Sequence, residues 1–333
     1  MRTLPLLSGL AAALLVVSAA GLAIGYAPLP LTGVIAGVFG NGDPLTVAVV
    51  REIRLPRLLL GIEVGAALGI AGAALQGLLR NPLAEPGLIG VSASAGLGAV
   101  IAFYFGFAAL SPYALPAMAM AGALVATGIV LAVAARDGHG NGGSLTLILA
   151  GIALSSLAIA LTSLAMNLAP NPYAVTEMLL WLMGSLKDRT PADALTAFPF
   201  ILAGGGLLLA TGRGLDALAL GEDAARSLGI DLARLRLAVV GGSAAAVGAS
   251  VAVSGSISFV GLVVPHLLRP LVGHEPGRLL LPSALGGAVL VTLADLASRL
   301  IPTAQEVMLG VLTALVGAPF FLVLILRVRR EAW

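Results

Sequence analysis

The chain has 333 residues, and its mean hydropathy of +1.06, with 59% hydrophobic and only 10% charged residues, excludes an ordinary soluble domain, in which about a quarter of residues are charged. The net charge of +2, with Lys187 as the only lysine, excludes a nucleic-acid-binding patch. The absence of cysteine excludes disulfides and thiolate metal sites, and with only three histidines we expect no dedicated metal site.

The apolar segments predict an all-α polytopic membrane protein. Residues 4–24 follow Arg2 as a signal peptide would, but the run exceeds the usual signal-peptide core of about 7 to 15 residues, so we interpret it as an uncleaved span. A spanning helix needs about 20 apolar residues, and cutting the chain at charge, proline and glycine clusters yields ten candidates. They are 5–26, 57–79, 88–108, 114–135, 144–166, 192–211, 237–254, 257–271, 279–300 and 307–327. We expect one transmembrane domain over 1–333.

The distribution of basic residues predicts the orientation. With ten spans, both termini lie on one side of the membrane. The loops on that side hold twelve arginines, and the opposite loops hold six arginines and lysines. By the positive-inside rule, both termini are predicted to lie in the cytoplasm.

Arginines gather at the predicted outer side. Arg54 and Arg57 stand at the entrance of the second span, and Arg299 closes the ninth span on the same side. Such arginines snorkel and anchor a helix, or they form bidentate bonds with carboxylates of an extracytoplasmic partner, and both interpretations remain open. Asp295 precedes Arg299 by four residues, which is the favourable spacing for an ion pair along a helix.

The second span contains an acid and a stripe of small residues. Glu63 lies six residues, roughly 9 Å, inside the span, where an acid is a candidate transport group unless it reaches Arg57 or the interface. The small residues recur at every fourth position, which predicts close approach of a neighbouring helix. They are Gly61, Gly65, Gly69, Ala73 and Gly77.

Three connections carry local signals. Residues 31–39 in the outer connection 27–56 predict a short interfacial helix before a turn-rich segment. The sequence RNPLAEPGLIG at 80–90 predicts a structural turn, and Pro265 predicts a kink in the eighth span beside His266. The inner segment 212–236 is the most polar long stretch, and its leucine spacing predicts two short amphipathic helices broken at Gly229.

The chain lacks the motifs of a nucleotide-driven motor or a hydrolase. A phosphate-binding loop would end in Gly-Lys-Ser/Thr, whereas the single lysine lies in GSLKDRT. The HEP triplet at 274–276 is not a zinc motif, and no nucleophile signature surrounds Ser254. We therefore predict a protein that is not an enzyme and that receives energy from another polypeptide.

Seven strings between residues 54 and 321 resemble, in order, the iron-chelate and cobalamin importer permeases of the FecCD type. They are RLPRLLL, GAALQGLLRNPLAEPGLIGVSASAGLGA, LLWLMGSL, LALGEDAARSLGI, SGSISFVGLVVPHLLRPLVG, LLLPSALGGAVLVTLADLASR and LGVLTALVGAPFF. The resemblance implies a ten-span BtuC-like permease fold in the bacterial inner membrane. One departure is the segment 306–310, which has Met308 where the family usually has proline.

The resemblance also implies partners and site residues. It implies a homodimer around one central pathway, two cytoplasmic ATPase subunits that bind the ATP, a periplasmic substrate-binding protein and no resident cofactor. Binding-protein docking maps onto Arg54, Arg57 and Arg299, and ATPase coupling onto Leu218, Leu220, Gly221, Glu222, Ala225, Arg226, Leu228 and Gly229. The translocation pathway maps onto Ser155, Ser156, Thr162, Ser163 and Met166, and a cytoplasmic gate onto Gly143, Ser144 and Leu145.

Three functional hypotheses follow. The first is a binding-protein-dependent ABC importer of a metal chelate, either a ferric siderophore or haem, with cobalamin as the alternative within the family. The second is an ion-gradient-driven secondary carrier that uses Glu63 and Asp295 as relay groups and needs no partner. The third is a structural membrane scaffold, which assigns no role to the outer arginines or to the inner segment.

Overall fold

The computed structural model describes residues 3–136, 143–303 and 305–331, and within these ranges it contains helices and no strand. In chain order the helices are α1 Thr3–Ala23, α2 Leu31–Val38, α3 Pro44–Ala48, α4 Leu55–Leu79, α5 Val91–Tyr104, α6 Phe107–Leu110, α7 Ala114–Arg136, α8 Gly143–Asn167, α9 Pro172–Leu182, α10 Pro191–Ala210, α11 Gly212–Ala219, α12 Glu222–Ser227, α13 Leu232–Ser254, α14 Val260–Leu268, α15 Pro276–Leu300 and α16 Leu309–Glu331. A π-helical segment, Val49–Arg54, leads into α4, and 3₁₀ segments cover Pro86–Ile89 and Arg269–Val272.

The apolar helices match the predicted spans. In the described ranges, seven helices are long and apolar enough to cross a membrane, and the shorter apolar helices are Val91–Tyr104, Val260–Val272 and Leu309–Val323. Their positions coincide with the ten predicted segments. The prediction of an all-α polytopic membrane protein is therefore confirmed, while its assignment to one domain stays a prediction.

The bundle is built around α4, α13 and α15. In their most apolar windows, 78% of α4 and of α13 and 61% of α15 are buried, against 6% of α1 and 17% of α8. Helices α4, α13 and α15 are therefore surrounded by protein. The outer faces of α1 and α8 are apolar, as expected where a helix meets lipid or another membrane subunit.

Small residues bring α4 into backbone contact with its neighbours. A Cβ atom at Gly65 would overlap the carbonyl oxygen of Gly287, and one at Gly69 would overlap that of Ser283, both on α15. A Cβ atom at Gly72 would overlap the carbonyl oxygen of Gly261 on α14. The predicted close approach along α4 is confirmed.

The bundle has two chemically different ends. At one end, which we call the arginine end, Arg57 near the start of α4 meets Asp295 near the end of α15. At the other, the loop end, Gly77 faces Leu215 of α11 and Pro276 of α15. The two antiparallel helices α4 and α15 therefore connect both ends.

Two local predictions need correction. The eighth span was predicted to begin at 257, but 255–258 is not helical and α14 begins only at Val260, because Gly255 and Phe259 both have positive φ angles. In the segment 212–236, the break between the short helices lies at Gly221, with φ of 110°, whereas Gly229 follows the end of α12. Asp231 then caps α13 by accepting backbone hydrogen bonds.

Candidate functional site

A cavity of about 450 Å³ lies at mid-height in the bundle. Leu68 is among its lining residues and lies 13 residues after the start of α4, about 20 Å along the helix axis. The rest of the wall comes from α5, α8, the end of α9, the start of α14 and two segments outside regular α-helix, 85–87 and 256–259. Non-helical backbone at membrane depth is tolerated where it is buried in protein or lines a water-filled cavity, so this arrangement is typical of a transport pathway.

Most of the predicted pathway residues meet in this cavity. Ser155, Thr162, Ser163 and Met166 line it from α8. Ser156 does not, because its side chain is exposed and its hydroxyl donates to the carbonyl of Ile152 within α8. The transport role of the four lining residues stays a prediction.

The predicted gate lies near the edge of the described part of the chain. Gly143 and Ser144 begin α8, and their side chains lie outside the described residues. Leu145 is 60% exposed and does not line the cavity. The gate at these three positions therefore stays a prediction.

Glu85 also lines the cavity, although its sequence context predicted only a turn. Phe259, which lies in the other irregular segment, lines the same cavity. The signal available in the sequence was an acid between Pro82 and Pro86 directly after an apolar span. Only the fold shows that this connection returns to the cavity.

The three predicted docking arginines lie together at the arginine end and are held by internal partners. The guanidinium of Arg57 donates to Asp295 at 2.8 Å and also to Glu306. Arg299 donates to Asp295 and to the carbonyl of Gly21 near the end of α1. The predicted pairing of Asp295 with Arg299 is confirmed, while Arg57 and Glu306 were not predicted to join it.

Arg54 differs from the other two arginines. It is 3% exposed and donates to the carbonyls of Leu22, Ala23 and Ala27, and no carboxylate pairs with it in the described residues. With Arg57 and Arg299 it lines a second cavity of about 210 Å³. Three cations there face only two carboxylates, so this cavity has a net positive environment suited to an anionic group.

Glu63 is half-buried on α4 and is not part of the arginine cluster. Arg57, its predicted partner, is occupied by Asp295 and Glu306 instead. Within the described structure, Oε2 of Glu63 has no hydrogen-bond partner. Arg57 therefore does not pair with the carboxylate of Glu63.

Two acids, one buried and one partly buried, join the loop end to the long helices. Glu222 is 7% exposed and pairs with both Arg226 and Arg236, which joins α12 to α13. Asp216 accepts the backbone N–H of Gly277 at 2.7 Å, which joins α11 to the first turn of α15. Movement of α11 and α12 is therefore expected to be transmitted to α13 and α15.

The predicted coupling residues divide into an inner and an outer set. Leu218, Glu222 and Ala225 are buried and hold the segment against the bundle. Leu220 is 73% exposed and Leu228 is 63% exposed, each beside a glycine with positive φ. These two leucines give the loop end an apolar contribution to its exposed surface.

The chain matches the FecCD transport family over residues 13–327. It belongs to the FecCD transport family. The family is a membrane permease component of ABC transporters, so this FecCD chain is a multi-pass membrane permease.

Individual relatives cover nearly the whole chain. The permease is 40% identical over 304 residues to the cobalamin import system permease protein BtuC of Halobacterium salinarum, covering 90% of this chain and 80% of the relative. It is 41% identical over 281 residues to the Fe(3+) dicitrate transport system permease protein FecD of Escherichia coli K12, covering 84% and 86%. A solved structure described as an inward-facing conformation of a metal-chelate type ABC transporter matches 96% of this chain and 98% of its own, with a TM-score of 0.85 and 34% identity.

Proposed function

We propose that this FecCD permease forms the membrane pathway of a binding-protein-dependent ABC importer for a metal chelate, with a ferric siderophore or haem as the cargo. A separate ATPase drives the import, and cobalamin is the alternative cargo. In this proposal the arginine end and the loop end face the periplasm and the cytoplasm of a bacterial inner membrane, and both termini are cytoplasmic. Two permease chains, two ATPase subunits and one binding protein form the transporter.

The mid-height cavity is the observation that supports this proposal best. It lies between the arginine end and the loop end, and two irregular segments line it. Serine and threonine hydroxyls lie on a mostly apolar wall, and the described residues contain no group of three or more metal-ligating side chains, which agrees with a cargo that travels as an intact chelate. Substrate choice would then reside mainly in the binding protein.

The main rival is an ion-driven carrier that uses Glu63 and Asp295 as relays. Asp295 is 2% exposed, and its two carboxylate oxygens are paired with two arginines, so it is engaged in internal ion pairs rather than open to a transported ion. Glu63 alone is a weak relay, since no second acid of the described residues pairs with it. The importer therefore accounts for the acids better.

Reconstitution tests the importer directly. Liposomes containing the permease, its ATPase and its binding protein are expected to accumulate ⁵⁵Fe-siderophore, haem or cobalamin only when ATP is present. The same liposomes without ATPase should remain empty even under a proton or sodium gradient. Uptake driven by an ion gradient alone would refute the proposal.

The apolar surface at the loop end gives a prediction about ATPase binding. The double variant Leu220→Ala/Leu228→Ala is expected to weaken ATPase association at least about tenfold, because buried apolar anchors commonly contribute more than 1 kcal/mol each to an interface. The measurement is pull-down or surface plasmon resonance with the purified ATPase. Leu237→Ala, another exposed leucine near the loop end, is the matched control and should bind normally. Equal affinity of both variants would contradict the docking assignment.

The cavity lined by arginines gives a prediction about the binding protein. Arg54→Gln is expected to slow association of the binding protein by about tenfold at low salt, because it removes the positive charge of a buried arginine that lines the cavity and has no carboxylate partner among the described residues. Arg51→Gln removes the same charge from an exposed arginine outside the cavity and should change the rate less than about threefold.

Stopped-flow binding over a series of salt concentrations provides the measurement for both arginine variants. Their melting temperatures must be compared first, because Arg54 also holds the end of α1. If the folded Arg54→Gln and Arg51→Gln variants slow association equally, the assignment of Arg54 to docking is wrong.

A further inference from the structure

Gln76 lies near the loop end of α4, and its backbone closes that helix. The residue is 1% exposed. Its carbonyl accepts the backbone N–H of Asn81 at 3.1 Å, and the intervening Arg80 has a positive φ of 48°. This is a common left-handed ending of an α-helix. The backbone of Gln76 is therefore held in place where α4 ends.

The side chain of Gln76 meets a gap in the backbone hydrogen bonds of α14. Pro265 has no N–H, so the carbonyl of Gly261, four residues earlier, lacks its helical donor. Nε2 of Gln76 donates to that carbonyl oxygen at 3.3 Å and to the carbonyl oxygen of Leu262 at 3.4 Å. The helices approach this closely because Gly72, four residues before Gln76, lies against Gly261. Gln76 thus provides a donor that α14 itself lacks.

The oxygen of the same amide binds the residue that follows α14. Oε1 of Gln76 accepts a hydrogen bond from the guanidinium of Arg269. Within the described ranges Arg269 has no carboxylate partner, and its buried Nε has no hydrogen-bond partner. A neutral amide offers both donors and an acceptor, so it can bond two carbonyls and a cation at once. The reversed amide would place oxygen against oxygen, so these contacts fix its orientation.

Gln76 lies between the loop end and the mid-height cavity. Its neighbour Gly77 faces Leu215 of α11 and Pro276 of α15. Gly261, to which Gln76 donates, lines the cavity. Two adjacent residues of α4 therefore contact the loop end on one side and the helix that borders the cavity on the other.

We propose that Gln76 is a positioning residue that latches α14 to the end of α4, so that movement at the loop end reaches the cavity wall. The latch itself is the set of hydrogen bonds to Gly261, Leu262 and Arg269. The transmission of movement rests on the proposed function. Without the latch, the first turn of α14 and the preceding 256–259 segment separate from α4 more often.

The absence of native cysteine makes the latch measurable. Ser258→Cys places one thiol in the cavity wall two residues before α14. In the purified permease, Gln76→Met is expected to raise the rate at which a small charged methanethiosulfonate labels this thiol by about tenfold, because methionine is similarly long and unbranched but loses the hydrogen bonds. Thr127→Val is the matched control and should leave the rate unchanged, since the buried hydroxyl that it removes donates to Ala123 within α7.

Variants of Arg269 separate the latch from simple packing. Arg269→Met is expected to raise the labelling rate about fivefold, because the amide loses the group that orients it. Arg269→Lys keeps a cationic donor and should label within about twofold of the parent. In the double variant Gln76→Met/Arg269→Met, the rate should equal that of Gln76→Met alone, since the second substitution has no hydrogen bond left to break.

Three outcomes would overturn the proposal. They are a folded Gln76→Met variant that labels at the parent rate, a double variant in which the two effects multiply, and a Thr127→Val variant that labels as fast as Gln76→Met. If Gln76→Met does not yield folded protein, Gln76→Asn takes its place under the same criteria. Its shorter amide cannot reach both partners, so it should also label about tenfold faster.

The reconstituted importer tests the transmission of movement separately. With ATPase and binding protein present, Gln76→Met is expected to hydrolyse ATP at the parent rate while its uptake of ⁵⁵Fe-siderophore, haem or cobalamin falls about tenfold. Arg269→Lys should keep uptake within about twofold of the parent. Parent-like uptake by Gln76→Met would overturn the transmission of movement through the latch. If the parent takes up none of the three cargoes, the proposed function fails, while the thiol labelling still decides the latch.

Discussion

Replacing Asp295 by alanine is expected to lower the free energy of unfolding by about 3–5 kcal/mol, because it leaves buried arginines without their shared carboxylate. Asp295 is 2% exposed and accepts from Arg57 at 2.8 Å and from Arg299 at 3.1 Å. Without it, the acceptors left to Arg299 among the described residues are backbone carbonyls at the end of α1. The loss is measured by thermal or denaturant unfolding in detergent.

Two comparisons separate this effect from general damage. Asp223→Ala removes an acid whose side chain is 97% exposed and paired with Arg226, so its unfolding curve should match the parent curve within error. The double variant Asp295→Ala/Arg299→Ala should be more stable than the sum of its single variants predicts, because the unpaired cation is removed as well. Strict additivity would show that the two residues do not act as a pair.

Replacing Gly69 by alanine is expected to destabilise the protein by about 1–3 kcal/mol, the usual penalty for overpacking a close-packed contact. The added methyl group would overlap the carbonyl oxygen of Ser283 on α15, and helical backbone cannot yield as a flexible side chain would. The two helices must therefore move apart along their contact. We expect a lower melting temperature, measured on the purified permease.

Gly205→Ala is the matched control for this prediction. Gly205 also lies within a long apolar helix, α10, but a Cβ atom there would meet nothing within 4 Å. The substitution should be neutral or stabilise by up to about 1 kcal/mol, since alanine is the better helix former. Equal destabilisation by both substitutions would mean that helix contact is not the cause.

The membrane-spanning segments and their packing could be predicted from the sequence because both depend on local properties. Apolar length determines whether a segment can cross the membrane, and all ten predicted segments coincide with apolar helices in the described residues. Small residues at every fourth position place Gly65 and Gly69 on one face of α4, which is why their close contact with another helix was predictable. The ion pair between Asp295 and Arg299 was predictable for the same reason, because the two residues are four positions apart on one helix.

The composition of the site was less predictable, because neighbouring residues on a helix point in different directions. Ser155 lines the cavity while Ser156, the next residue and about 100° further around α8, does not. The start of α14 was misplaced for a related reason. An apolar run does not reveal where its backbone leaves the helix, and here Gly255 and Phe259 delay the helix until Val260.

Length, hydropathy and motif strings are properties of the chain, and they were enough to identify a multi-pass FecCD permease with basic residues at one end and a polar segment at the other. Which side chains meet depends on how the helices pack. Arg57 and Asp295 are 238 positions apart, and Glu85 and Phe259 come from distant segments to line one cavity. Helix packing determines such partners. A buried charged or polar group is costly unless it is paired, so it pairs with a complementary group that the fold brings within hydrogen-bond distance.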